Sequence, residues 1–459
     1  MPYSLVEKIA DTIAQHQLIA SGATVVIGVS GGADSVCLLH VLVELAGQHH
    51  FDVVVAHLDH GLRDESADDA LFVQELAARL DLRFFKRRVE VGGLAQRNRW
   101  GLEEAGREAR RAFLSEVADQ VGGAVIALAH HRDDQSETVL MHLARGCGVG
   151  GLAGMRWQEG KYIRPMLSIC RNEINAFLQR HRLEWREDDS NRNERFKRNL
   201  IRHQVLPALT RYNQQTVRHI AELAEKVAVE EAYWQQQLDD WLGHHACEQQ
   251  GQWQVACLAL CDCHPALRHR LLRELLARVR GTTRGLGGIH VFELDRQLFS
   301  PAPQWQMDLP CCWAARRYDH LVFRREAPVP AATVDMVING PGRYRVDGQR
   351  TLLVKRGTSD SCEAPAVWFS DQQIDFPLRL RSFQPGDRIQ MADSAGHKKL
   401  KALFAEHRWT NEARQRALVL ECRGEILWVP ELRQRCCLPI SRDAKSGFVL
   451  HVLKAKDKI

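Results

Sequence analysis

Residues Thr24 to Leu39 read TVVIGVSGGADSVCLL, and this stretch limits what the chain can become more than any other. Thr24 to Val29 is a short apolar run rich in β-branched residues, and helical character begins at Ser35. The six residues Ser30, Gly31, Gly32, Ala33, Asp34 and Ser35 must therefore make a tight strand-to-helix turn. Two glycines permit close backbone approach, and the helix start offers unpaired N–H groups and a positive dipole end. Such a turn suits a phosphate, with the Ser30 and Ser35 hydroxyls as further donors. An ionised Asp34 cannot donate to phosphate, so beside a polyphosphate it would hold Mg²⁺ or fix the loop. No lysine follows the glycines, which excludes a Walker-type loop.

The chain that follows alternates strand and helix. Asp52 to Leu58 (DVVVAHL) reads as a buried strand running into Asp59, His60, Gly61, Leu62 and Arg63, and Leu82 to Val91 suggests a third strand. Gly101 to Val117 is helical, with Glu103, Arg107 and Arg110 or Arg111 spaced to share a face, as ion pairs on a solvated surface also would be. A strand over Ala124 to Ala129 ends in His130 and His131, and a helix over Asp133 to Leu143 follows. Asp134, Glu137 and Thr138 fall at i, i+3 and i+4, a carboxylate pair on one face near a strand end. Capping accounts for Asp133 or Asp134, less readily for Glu137. The pattern predicts an α/β fold with a doubly wound parallel sheet, whose ligands lie at the C-terminal strand ends. Gly146 to Gly151 matches GxGxxG literally but follows a helix, so it is read as a glycine loop and not a dinucleotide site.

A chain of 459 residues exceeds one core, and three domains are expected: 1–213 as above, 214–325 mainly helical, and 335–459 a small α+β domain after the proline-rich stretch beginning at Glu326. The first nineteen residues mix acids with apolar residues and lack a secretory or membrane-spanning core. With thirteen cysteines in so long a chain, a reducing cytoplasm is the expected compartment, with no membrane association and no obligatory protein partner evident. Cys257, Cys261, Cys263 and His264 lack paired zinc spacing and are read as packing residues.

Net charge is +5, so local clusters matter more than the total. Arg198 and Arg202 stand in a basic run after Asp188, Asp189, Ser190 and Asn191; Arg270 and Arg273 lie on an arginine-dense helix; Lys398, Lys399, Lys401 and Arg408 surround a C-terminal helix near Trp409. These groups suit contact with RNA phosphates as well as they suit a solvated surface.

The SGGADS turn resembles the signature of the pyrophosphatase-loop (PP-loop) ATP enzymes, which cleave ATP between its α- and β-phosphates. Adding HLDHGLR at His57 to Arg63, the EEAGREARRAF helix, AHHRDDQSET at Ala129 to Thr138 and DDSN, the chain is similar over its first 210 residues to the tRNA(Ile)-lysidine synthetases. The Pro385-Gly386-Asp387 turn and the lysine-rich helix after it resemble that family's C-terminal domain less specifically. The resemblance implies ligation of L-lysine to the wobble cytidine of the CAU-anticodon isoleucine tRNA, with ATP and Mg²⁺. It implies a nucleotide site at Ser30 to Ser35 with His57, His60 and Arg63, and a metal-side role for Asp34. It further implies an arginine on the α-phosphate (Arg198 or Arg202, with Arg202 preferred), and lysine held by Asp134 and Glu137 with Arg107 or Arg110 on its carboxylate. The alternatives are another PP-loop tRNA enzyme, such as a thiolase, and a tRNA-binding protein without turnover. No CxxC pair near the turn supports the first, and acids beside a phosphate site have no use in the second.

Overall fold

The computed structural model describes residues 4–61, 66–186, 197–282, 285–358, 366–391, 396–432 and 446–454. By its contacts the chain forms two compact units, Met1–Gln235 and Gln236–Ile459.

The first unit is built on a six-stranded sheet of β1 (Thr24–Gly28), β2 (Asp52–Asp59), β3 (Arg83–Arg88), β4 (Val125–Ala127), β5 (Gln158–Glu159) and β6 (Tyr162–Ile163). Their order is β3-β2-β1-β4-β6-β5; every neighbouring pair is parallel except the short β5–β6 hairpin. All of β2 after Asp52 is buried, as a strand covered on both faces must be. One face carries α1 (Leu5–Gln15), α2 (Ala33–His49), α3 (Ser66–Arg79) and α7 (Arg171–Arg180), packed through Ile9, Leu38, Leu42, Val73 and Phe177. On the other face, α5 (Leu102–Gln120) lays Phe113, Leu114 and Val117 over Val26, Val54 and Ile126, with α4 (Val91–Asn98) beside it. The sheet is thus doubly wound, and the strand order reverses between β1 and β4, where such sheets open a crevice.

Local chemistry sets the helix starts. Ser4 and Glu7 make a reciprocal capping box at α1, at 2.7 and 3.2 Å. Helix α6 (Arg132–Arg145) is capped by His131, with the Asp134 carboxylate accepting the His131 N–H at 2.9 Å. Beyond Gly146, the glycine loop forms a 3₁₀ turn over Val149–Ala153. A Cβ on Gly151 would lie 2.5 Å from Cys147 Cβ, so that glycine serves close packing. The buried Gln135 amide pins this loop by bonds to the Ala153 and Met155 backbone.

After α8 (Lys197–Leu200) the ladder widens to π pitch over Ile201–Val205 before α9 (Leu206–Tyr212). Pro207 has no N–H to return to residue 203, which removes one α-type bond just there. Helix α10 spans Thr216–His245.

In the second unit, the helix Pro265–Arg280 falls where the sequence predicts it. A five-stranded sheet beside it, from Ala246–Gln249, Gln252–Ala256, Gln304–Leu309, Cys312–Arg317 and His320–Arg324, is an addition to the helical reading of that stretch, in which helix still predominates. Two further sheets of six and four strands build the remainder, with strands at Leu378–Ser382 and Arg350–Gly357 and a helix at Leu400–Glu406.

Candidate active site

The turn after β1 is held from within and from below. Ser35 Oγ donates to the Gly32 carbonyl at 2.9 Å and receives the Ser30 N–H at 3.2 Å. Gly31 has φ +92, a left-handed conformation in which a side chain is strained, and its carbonyl accepts the Arg186 N–H at 2.9 Å. Beneath, the buried His57 ring donates from Nδ1 to the Val29 carbonyl at 2.8 Å, and burial lowers its pKa. Neutral His57 thus fixes the strand end that launches the turn. Gly32, Ala33 and Asp34 follow at the N-terminus of the seventeen-residue α2, whose first-turn N–H groups suit phosphate oxygens.

Across the crevice, β4 and α6 present His130, His131, Asp133, Asp134 and Glu137. The Asp134–Glu137 spacing puts both carboxylates on one face of α6, and the same two arginines meet both. Arg198 Nε donates to Glu137 Oε2 at 2.6 Å and its Nη2 to Asp134 Oδ1 at 2.8 Å. Arg202 Nε donates to Glu137 Oε1 at 2.6 Å and its Nη2 to Asp134 Oδ1 at 3.0 Å. The Glu137 side chain is 1% exposed, so these are desolvated, charge-assisted bonds. Burial favours the neutral form of Asp134, but His131 and Arg198 outweigh it and hold the carboxyl at about 2. Both arginines are pushed above their ordinary range by the two carboxylates, against the opposing effect of burial.

His131 joins this cluster to the turn. Its Nε2 lies 3.4 Å from Asp134 Oδ2 and 3.7 Å from Asp34 Oδ1, and its Nδ1 lies 3.5 Å from Asp133 Oδ2. Burial opposes a charged ring there, yet Asp133, Asp134 and Asp34 raise its pKa. Arg171, at the start of α7, pairs directly with Asp34 and gives its backbone N–H to Asp133 at 3.2 Å. The neighbouring His130 is pushed the other way, to about 3, by burial together with Arg164, Arg198 and Arg107. Its Nδ1 is buried and has no hydrogen-bond partner among the described residues.

Of the residues singled out in sequence, the structure gathers Ser30 to Ser35, His57, Asp134, Glu137, Arg198 and Arg202 around one crevice. His60 meets Arg110 at 3.1 Å beside it. Arg107 is exposed, and among the described residues neither Arg107 nor Arg110 is hydrogen-bonded to Asp134 or Glu137. Arg63 and the DDSN stretch at 188–191 lie outside the described residues. In the second unit Lys398 pairs with Glu406 and Arg408 with Asp319, both at 2.7 Å, while Arg273 and Lys401 are exposed. Arg171, His130 and His131 were not singled out for roles; the histidine pair at a strand end was the available signal.

The residues present fit the groups a polyphosphate site uses. Among the described residues no three His, Cys, Asp or Glu side chains form a metal cage. Mg²⁺ on a nucleotide commonly takes one or two carboxylates and completes its shell with phosphate and water. Asp34, 31% exposed and in the first turn of α2, meets that requirement.

A parallel sheet with a Ser-Gly-Gly turn at its switch point defines a PP-loop, ATP-binding enzyme, and a family model described as the PP-loop domain matches residues 4–209. Models described as the TilS substrate binding domain and the TilS substrate C-terminal domain match residues 256–322 and 378–445. The tRNA(Ile)-lysidine synthase of Geobacter sulfurreducens is 36% identical over 98% of this chain and 97% of its own length. Those of Solibacter usitatus (34% identical, 90% of this chain and 94% of the relative) and Caldanaerobacter subterraneus (30%, 98% and 98%) are also similar. The chain belongs to the tRNA(Ile)-lysidine synthase family, a family of tRNA-modifying ligases. Among the described residues no helix is long and apolar enough to cross a membrane.

Proposed function

We propose that this chain ligates L-lysine to the wobble cytidine of the CAU-anticodon isoleucine tRNA in two steps, in the cytoplasm. First the cytidine C2 oxygen attacks the α-phosphorus of ATP and pyrophosphate leaves. Then the lysine ε-nitrogen attacks C2, and AMP departs with that oxygen. The observation that carries the reading is the pairing of two buried carboxylates, Asp134 and Glu137, with cations beside a polyphosphate turn.

Each step sets a requirement these residues meet. Charge on the α-phosphate needs N–H donors and a cation; the Ser30 to Ser35 turn and Arg202 offer them. Asp34 would hold Mg²⁺, which when bound neutralises polyphosphate charge. The second step needs an uncharged amine, yet a free lysine side chain titrates near ~10.4. Asp134 and Glu137 would bind the ammonium and take up its proton, and Arg107 or Arg110 would engage the lysine carboxylate. Arg198 in the first unit and Arg270, Arg273, Lys398, Lys399, Lys401 and Arg408 in the second are assigned to tRNA phosphate, Arg198, Lys398 and Arg408 exchanging the carboxylates they now pair with. The three domains 1–213, 214–325 and 335–459 would divide this work, the first doing chemistry.

Radiolabelled lysine incorporation into isoleucine tRNA transcripts, with ATP and Mg²⁺, tests the reading. The native chain should incorporate lysine, and Asp34→Ala and Glu137→Ala should lose it by at least ~100-fold. Pyrophosphate release without lysine incorporation would point to a different nucleophile. Binding of tRNA with neither would leave a binding protein.

A further inference from the structure

We infer that lysine uptake is coupled to nucleotide: Arg198 and Arg202 stand on the carboxylates that the substrate ammonium needs, and they yield them when a polyphosphate arrives. This rests on the assignment of Asp134 and Glu137 to the lysine amine made above.

The carboxylates are fully engaged. Glu137 Oε1 takes Arg202 Nε at 2.6 Å, and Oε2 takes Arg198 Nε at 2.6 Å and Arg202 Nη2 at 3.2 Å. Asp134 Oδ1 takes one Nη2 from each arginine, and Oδ2 is held by the His131 N–H. With Glu137 at 1% exposure, an ammonium can reach these oxygens only by replacing a guanidinium.

Charge then decides what must accompany the exchange. At the carboxylate pair, Asp134 and Glu137 stand against Arg198 and Arg202, two charges against two. An added ammonium alone leaves a surplus cation in a desolvated crevice, and a polyphosphate alone leaves surplus anion; both are costly. Together they compensate. Each ligand must then raise the affinity for the other by one shared factor.

The arginines have somewhere to go. Arg202 already feels the Asp34 carboxylate at the start of α2, beside the phosphate turn. The Arg198 and Arg202 side chains are 26% and 32% exposed and so are not locked by packing. They sit where the helix changes from α to π pitch, a site with fewer α-type bonds to hold it rigid.

Titration calorimetry of L-lysine into the full chain tests this, without nucleotide and with Mg²⁺ and the non-hydrolysable α,β-methylene analogue of ATP. Lysine should bind about tenfold or more tighter with the analogue, and the analogue tighter by the same factor with saturating lysine. In the double variant Arg198→Gln/Arg202→Gln, the ratio of lysine affinities with and without analogue should fall to about one. A general loss of structure would not bring the two affinities together in a variant that circular dichroism shows to be folded, and the reciprocity in the native chain needs no variant. Equal lysine affinity with and without analogue in the native chain overturns the coupling. It leaves the carboxylate assignment intact if Glu137→Gln still abolishes lysine binding. Lysine binding that Glu137→Gln does not weaken overturns the assignment itself.

Discussion

His130 and Asp134 make the catalytic unit sensitive to acid in the same direction by different routes. His130 is held neutral down to about 3, whereas an exposed histidine accepts a proton near 6.5. Below about pH 6.5 the unfolded chain therefore binds a proton that the folded chain refuses, and stability falls as the pH drops towards 3. His130→Asn should flatten this decline, read as the thermal midpoint between about pH 7 and pH 4. Asp134, lowered from 3.8 to about 2, contributes stability that is complete above 3.8 and lost as the pH falls through 2. Asp134→Asn should cost about 3 kcal/mol at neutral pH, because Arg198 and Arg202 lose a buried counter-ion. Its deficit relative to the native chain should begin to shrink below pH 3.8, where the unfolded carboxyl takes up its proton, and close as the pH falls through about 2, where the native one does.

Among the elements, the β1 turn depends on one conformation. Gly31→Ala forces a Cβ into φ +92, with Phe72 and Val73 at 3.5 Å on its flank. The strain should cost about 1–2 kcal/mol and raise KM for ATP in pyrophosphate release more than it lowers the melting temperature. This turn was legible in sequence because an apolar strand, two glycines and a helix start agree locally, and α6 was legible through its i, i+3 acids. The five-stranded sheet of 246–324 was not: Ala246–Gln249 is mostly exposed and has no clean alternation, whereas Gln304–Leu309 alternates strictly, with Trp305, Met307 and Leu309 packed on the core, and that signal was passed over. The partners of Asp134 and Glu137 were equally hidden. Arg198 and Arg202 lie more than sixty residues further along in a run that reads as a solvated face, and only tertiary folding shows which basic residues turn inward. Arg171 was passed over for the same reason.

For the whole molecule, assignment of the second unit to tRNA phosphate makes quantitative demands. Lys398 and Arg408 are engaged by Glu406 and Asp319, while Lys401 is exposed. Lys401→Ala should lower the slope of log affinity for tRNA against log salt by about 0.9, and Lys398→Ala by less, measured by filter binding over a salt series. Isoleucine and methionine tRNAs with the same CAU anticodon present the same wobble base, so discrimination is expected from the acceptor arm. Exchanging acceptor-stem pairs between the two should change the modification rate, and an unchanged rate would move discrimination to the anticodon arm.

The order of strands also has a consequence for synthesis. β1 pairs with β2 through Val25 and Val53, but its other neighbour starts only at Val125, a hundred residues further along the chain. During translation, β1, β2 and β3 can associate well before β4 and α6 have left the ribosome. The phosphate turn is therefore made early, while its facing wall of His131, Asp134 and Glu137 comes late, and Arg198 and Arg202 later still. A nascent chain can carry the turn without the groups that use it, so full ATP turnover should emerge only after residue 202 has been released and folded.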